Sequence, residues 1–441
     1  MQNLKKIREI LKINNLLLTG GAGVGKSYLT SKLIEELRKE QKQVVVLGST
    51  GVSAVNVGGH TIHSFFCFGI ANDLAQMKKN DRYTKQRVKE LNKILQKADL
   101  LIIDEISMVS PNLMEMIQYR LQNGGFEGSV MFVGDFYQLP PIKQKKEINS
   151  LFDYGEFAFE SPSWDYFEPY IVELTKTKRT TDEEFFEVLN SIRVGDINQK
   201  IIDYLEALRK NLHVIEQNPT ILYGTNKKAD TTNSKKLSEL GADPVVLKAK
   251  EKLLVESLHV KRIESWKRNL PVSSELVLKV GASVLFCTNK WGSYYNGERG
   301  EVFSIDEDEV VVKKSDGCCV RVKRVEFTLS ESMVLNGEIE EIPLVTIEQF
   351  PLKLAYAITI HKSQGMSIDS LVCNIDNIFE KSQFYVAISR AKDPKNLLLE
   401  YSYQNFSNHL KRCVLVSYRV REFYERAKID RIEESKDLFQ I

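Results

Sequence analysis

Short apolar runs punctuate the first third of the chain: LLLT at 16–19, VVVLGST at 44–50, LLIIDE at 100–105 and VMFVGD at 130–135. Runs that are apolar at nearly every position, not at alternate ones, predict strands buried on both faces, as in a parallel sheet covered by helices. In SYLTSKLIEELRKEQK, which follows the first run, apolar positions 28, 29, 33, 34 and 37 keep helical spacing. A second α/β segment is predicted from near Thr180, with EEFFEVLNSIRVG as an amphipathic helix and TILYGT (220–225) as a strand. Between 249 and 345 the pattern changes to short alternating strands, LKVGASVLFC, GEVFSI, EVVVKK and CVRVKRVEF, with the turn signals NG, SDG and NG. That stretch predicts a small β-barrel or sandwich inserted into the second segment. The α/β pattern returns at 352 with LAYAITIHKSQG and QFYVAISRA, and LKRCVLVSYRVREFYERAK near the end reads as helical. The fold class is therefore α/β, without internal repeat or low-complexity linker.

Composition adds limits. With 441 residues, 43% of them hydrophobic and 27% charged, the chain has the make-up of an ordinary soluble protein of two to four domains. No stretch approaches the ~18 uninterrupted apolar residues of a membrane span. The first ten residues, MQNLKKIREI, have no signal-peptide core, so a cytoplasmic location is expected. The six cysteines (67, 287, 318, 319, 373 and 413) lack metal-ligand spacing and read as reduced and structural. Net charge is only +2, but between Lys78 and Lys97 eight Lys and Arg face only Asp81 and Glu90. That cluster is either a solvated helical face or a contact for phosphates. The acidic run Asp306 to Glu309 reads as a solvated turn.

Candidate chemistry begins at Gly20-Gly21-Ala22-Gly23-Val24-Gly25-Lys26-Ser27, which fits G-x-x-x-x-G-K-S/T with a strand before it and a helix after it. Glycines let backbone N–H groups converge on phosphates, and the helix amino terminus adds positive potential. Lys26 is the predicted β/γ-phosphate ligand and Ser27 the predicted magnesium ligand. LLIIDE ends in Asp104, a second magnesium ligand, and Glu105, a general base for the attacking water. VGDFYQLPPI (133–142) ends another apolar run with Pro140 and Pro141, which cannot donate to a ladder. Asp135 and Gln138 are then expected at the carboxyl end of the sheet, where open α/β sheets bind ligands, with Gln138 as a γ-phosphate sensor.

Taken in order, GGAGVGKS, STGVSAVNVGGHTIHSFF, IIDEISMVS, GDFYQLPPI, LTKTKRT, AYAITIHKSQGMSID and FYVAISRA resemble the motifs of superfamily 1 DNA helicases. They look most like the Pif-type enzymes, relatives of RecD and Dda, over roughly residues 1 to 400. The resemblance implies two RecA-like domains with ATP and Mg2+ in the cleft between them. It divides the chain into a first domain (1–66 and 96–179), a small wedge insertion (67–95), a second domain (180–248 and 346–441) and an SH3-like β insertion (249–345). It places nucleotide contacts at Gly21, Ala22, Gly23, Val24, Gly25, Lys26, Ser27 and Tyr28, with Gln138, Gln364 and Gly365. Arg179 and Arg390 match the two finger arginines; Thr180 stands where a glutamine commonly follows the first. Gln2 is the candidate for the adenine-reading glutamine.

DNA contacts implied by the resemblance are Thr50, Thr61, His63, Ser64, Phe65 and Pro140, then Thr359, His361, Lys362 and Ser363. Hydroxyls and amides can grip phosphates without reading sequence, and aromatic or imidazole faces can stack on bases. Core packing is the competing reading for Phe65 and Phe66 and is expected for at least one. His60 and His63 have no third ligand nearby, so no metal is expected there. In NGERG (296–300), with Trp291, Tyr294 and Tyr295 before it, a packed turn is favoured over a DNA contact. The implied activity is ATP-driven 5′-to-3′ movement on single-stranded DNA, opening forks or structured DNA in settings such as repair, telomere maintenance or G-quadruplex resolution. Two alternatives stay open: a DNA-stimulated ATPase switch or loader that never unwinds, and an RNA or hybrid helicase.

Overall fold

Six strands in chain order, β1 (Leu16–Gly20), β2 (Val44–Gly48), β3 (His60–Thr61), β4 (Leu100–Asp104), β5 (Ser129–Val133) and β6 (Tyr170–Leu174), join Ile429–Ile432 in one sheet. The order is 429–432, β6, β1, β5, β4, β2, β3, and every pairing is parallel. In this computed structural model the described residues are 2–49, 53, 59–69, 71–141, 155–216, 218–255, 260–268, 270–335 and 338–432. The chain forms two units: Met1–Lys178 with Ser330–Pro343 and Tyr418–Ile441, and Arg179–Leu329 with Leu344–Ser417.

In the first unit, α1 (Gln2–Leu11) and α2 (Lys26–Lys39) cover one face of the sheet, burying Leu4, Ile7, Leu29 and Leu33 against Leu16, Leu18, Ile102 and Met131. The 67–95 insertion is built of α3 (Leu74–Asp81) and α4 (Lys85–Leu95). Of the eight cations from Lys78 to Lys97, Arg87 is half-buried, with an ion pair to Glu331 at 2.8 Å, and the other seven are exposed. The insertion is tied down from α5 (Pro111–Gly124) by Arg120, 3% exposed. Arg120 makes a two-pronged pair with Asp81 (2.6 and 2.8 Å) and donates to the Phe66 carbonyl at 3.0 Å.

One part of the sequence-based division needs correction. Residues 346–441 were expected together in the second domain, but the described residues 418–432 belong to the first unit. Ile429–Ile432 extends its sheet beyond β6, Ile429 opposite Ile171 through Ile432 opposite Leu174. The expected terminal helix is two helices, Phe406–Cys413 and Tyr418–Arg426, parted at Val414–Ser417. Residues 330–343, expected in the β insertion, also belong to the first unit, where Ser332 and Glu341 meet His60 at 2.9 and 3.2 Å.

The second unit holds a four-stranded parallel sheet in the order Ala357–Thr359, Thr220–Tyr223, Leu371–Asn374, Leu397–Glu400. A five-stranded antiparallel sheet, Cys319–Lys323, Glu309–Lys314, Arg299–Ile305, Ser283–Phe286 and Leu352–Leu354, encloses Val284, Phe286, Val302, Val310 and Val312. The acidic run is a tight turn closed by Asp306 N donating to Glu309 O at 2.8 Å, with Asp306, Glu307 and Asp308 exposed.

Candidate active site

β1 ends at Gly20 and α2 begins at Lys26, so the glycine loop spans the carboxyl end of a central strand and the amino end of a helix. At Gly20, with φ 139°, a Cβ would stand 2.4 Å from the Leu174 carbonyl oxygen, so only glycine fits. Val24 is buried under the loop, whereas Ser27 is exposed at its mouth. Lys26 Nζ donates to the carbonyls of Gly20 at 2.6 Å and Gly21 at 3.0 Å, so its ammonium lies along the loop.

Because β1, β5 and β4 are neighbours in the sheet, their carboxyl ends bring Lys26, Gln138 and Asp104-Glu105 to one edge. Glu105 takes φ 54°, ψ 52°, a left-handed conformation that costs a non-glycine residue about 1–3 kcal/mol and is concentrated at functional sites. Gly134 makes this turn possible: a Cβ there would lie 2.9 Å from Ile106 N. Burial, and then the neighbouring Glu105 charge, push Asp104 up to about 7 against the pull of Lys26. A carboxylate under this pressure suits a divalent cation, and Ser27 and Asp104 fit Mg2+, which keeps few protein ligands beside phosphate oxygens and water.

Gln138 is 6% exposed and donates its N–H to Asp135 O at 2.9 Å. Asp135 does not project toward a ligand as expected: it is fully buried, and its carboxylate accepts from Tyr137 N at 3.1 Å, capping the turn. That turn has a support the sequence did not reveal. Tyr424 Oη shares a 2.8 Å hydrogen bond with Thr19 Oγ1 and accepts from Phe136 N at 3.3 Å, and its ring stacks on Tyr137 at 5.0 Å. Phe423 stacks on Phe159 at 4.4 Å, and Arg419 pairs with Glu160. The helix Tyr418–Arg426 thus buttresses both β1 and the Gln138 turn.

Within the second unit, Arg179 and Arg390, far apart in sequence, meet at Ser389. Arg179 Nη1 donates to the Ser389 carbonyl at 2.6 Å, and Arg390 Nη2 donates to its hydroxyl at 2.9 Å. Arg390 is 2% exposed and also donates to Val386 O at 2.9 Å. Burial and then the Arg390 charge bring Arg179 down to about 9, a cost that a bound anion would relieve. Two residues beyond Arg390, Lys392 pairs with Asp369 at 2.8 Å; Tyr295 Oη donates to Asp369 at 2.8 Å. NGERG is a packed turn: Asn296 and Glu298 are buried, and a Cβ on Gly297 would lie 2.8 Å from Ser367 O.

The predicted DNA contacts divide by exposure. Thr50 lies outside the described residues, as does the side chain of Gln2, which opens α1. Thr61 caps the turn Ile62–Phe65, its Oγ1 accepting from Ser64 N at 3.3 Å, with His63 and Ser64 half-buried beside it. Phe65 and Phe66 are both core, 7% and 0% exposed; Phe66 stacks on Phe68. The expectation that Phe65 offers a ring to DNA is therefore corrected: packing under the turn consumes it. Pro140 is half-buried at the end of the Gln138 turn. Ser363 also needs correction, since it is fully buried and its hydroxyl donates to Ile360 O at 2.7 Å. Thr359 is buried and accepts from Lys362 N at 3.4 Å, and His361 pairs with Glu380 at 3.2 Å. Lys362 and Gly365 are exposed.

Known proteins resemble this chain in sequence and in fold. The PIF1-like helicase model matches residues 5–202, and a second helicase model matches 302–421. The ATP-dependent DNA helicase Pif1 of Campylobacter jejuni is 42% identical over 96% of both chains. That of Bdellovibrio bacteriovorus is 34% identical over 93% of this chain and 88% of its own. Bacteroides sp Pif1 in complex with ADP-AlF4 superposes with a TM-score of 0.82 at 29% identity, covering 96% of each chain. Bacteroides Pif1 bound to ssDNA gives a TM-score of 0.64 over 97% of this chain and 96% of that one. With these motifs, this sheet order and these relatives, the chain belongs to the PIF1-like helicase family.

Proposed function

We infer that this chain is an ATP-dependent DNA helicase that moves 5′ to 3′ on single-stranded DNA. The observation that carries it is the convergence of Lys26, Asp104, Glu105 and Gln138 on the carboxyl ends of three adjacent parallel strands. Mg2+ held by Ser27 and Asp104 would neutralise charge on the β- and γ-phosphates. Lys26 and the loop amides bind those phosphates, Glu105 accepts a proton from the attacking water and Gln138 orients it. Arg179 and Arg390 stabilise charge developing on the γ-phosphate. The HTIHSFF and TIHKSQG segments grip the strand in alternation, the exposed cations of α3 and α4 mark the wedge, and the site of action is the cytoplasm.

The test is ATP-dependent strand displacement on two matched forks, one with a 5′ loading tail and one with a 3′ tail. Opening of the 5′-tailed fork alone is expected. Opening of only the 3′-tailed fork would overturn the direction. ATP hydrolysis stimulated by single-stranded DNA without opening of either fork would instead favour a switch or loader, and preference for RNA tails a hybrid or RNA helicase.

A further inference from the structure

The strand Leu352–Leu354 closes the antiparallel sheet of the second unit, with Lys353 opposite Leu285. Leu352 and Leu354 pack into the apolar core of that sheet, so strand alternation turns Lys353 to the other face. There its ammonium meets Met366 Sδ at 3.8 Å, on the residue after Gly365 of the HKSQG segment. A thioether is a weak acceptor and leaves the charge uncompensated. Among the described residues, the groups that act on Lys353 are the neutral, buried Cys287 thiol and Lys362, a second cation, with no carboxylate among them. Burial, with a smaller push from Lys362, holds the Lys353 ammonium below the ordinary lysine pKa. Taking an ammonium out of water beside another cation is unfavourable unless an anion joins them.

We propose that Lys353 is a further DNA-binding residue, its ammonium and that of Lys362 holding one backbone phosphate of the single strand. The position favours this anion. Lys362 is exposed in the segment expected to grip DNA, while the hydroxyls of Thr359 and Ser363 are engaged inside that segment. Lys353 thus supplies a phosphate contact that the buried Ser363 hydroxyl is not placed to make. The inference rests on reading the chain as a motor on single-stranded DNA.

The experiment uses the full chain, wild type and Lys353→Met, Lys353→Arg and Lys362→Met. It measures the affinity for fluorescein-labelled oligo-dT without nucleotide across about 50 to 200 mM NaCl. Lys353→Met is expected to bind roughly tenfold more weakly at the low end, and the slope of log K against log salt to shrink by about 0.7, one phosphate contact. Lys353→Arg restores the slope, and Lys353→Met with Lys362→Met loses less than the sum of the single changes. The KM for ATP stays within about twofold, and Tm is unchanged or higher because an uncompensated cation has been replaced by an apolar side chain. Unchanged affinity and slope would overturn the inference. So would a lower Tm, which makes the ammonium structural, or a raised KM with DNA binding intact, which assigns it to the nucleotide. If the wild-type chain itself fails to bind oligo-dT, the motor reading fails first.

Discussion

Tyr424→Phe deletes a single oxygen and isolates the support of the Gln138 turn. That oxygen lies 2.8 Å from Thr19 Oγ1, on a residue with no exposure, and 3.3 Å from Phe136 N. Leaving a buried polar group without its partner costs about 1–3 kcal/mol. The stack of the ring on Tyr137, tilted only 12°, survives the change. The expected loss for the first unit is therefore about 1–3 kcal/mol. Tyr424→Ala, which also removes a half-buried ring, should cost about 3 kcal/mol or more. Trp164 reports on this place directly, with ring centroids 5.7 Å from Phe136 and 6.0 Å from Phe423. Urea unfolding followed by Trp164 fluorescence, with Trp266 and Trp291 replaced by Phe, reads the first unit alone. The midpoint should fall at constant m, and DNA-stimulated kcat should fall with it as Gln138 loses its fixed turn. A Tyr424→Phe chain within about 0.3 kcal/mol of its parent, with kcat unchanged, would refute the buttress.

Other outcomes follow from the same geometry. Lys26→Met should abolish ATP hydrolysis while leaving oligo-dT binding without nucleotide largely intact, measured by phosphate release and fluorescence anisotropy. Gly134→Ala should lower stability by about 2–4 kcal/mol and kcat by more than tenfold, since its Cβ would press within 2.9 Å of Ile106 N and displace Glu105; urea midpoints and phosphate release read both. Arg120→Ala, leaving Asp81 and the Phe66 carbonyl without this buried partner, should destabilise the first unit by about 3–5 kcal/mol in the same unfolding assay. Burial lowers the pKa of His63, so below about 6.5 the unfolded chain binds the proton first. Stability should fall as pH drops from there toward the folded-state pKa, and His63→Gln should flatten that part of a Tm-against-pH profile.

Local rules explain what could be read without coordinates. GGAGVGKS announces itself because only glycines permit the loop backbone and only a following helix offers its amino end. The runs 16–19, 44–50, 100–105 and 130–135 became strands because two-sided burial demands continuous apolarity. Asp104 and Glu105 stood out because they close such a run, and Gln138 because it lies between the end of another at Val133 and the strand-breaking Pro140 and Pro141. Partner choice was not. IDRI, Ile429–Ile432, is too short to name β6 as its neighbour, 257 residues away at Thr175 and Ile432, and only the folded sheet decided it. The meeting of Arg179 with Arg390 on Ser389, the burial of Phe65 and Ser363, and the setting of Lys353 beside Met366 likewise depend on which elements pack together. Backbone preferences and periodicity are properties of a few consecutive residues, so the sequence by itself determined most of the elements and singled out the candidate groups at their ends. Burial and charge compensation are properties of neighbours brought from elsewhere in the chain, so tertiary structure alone decided which of those groups stay accessible and which are packed into the fold.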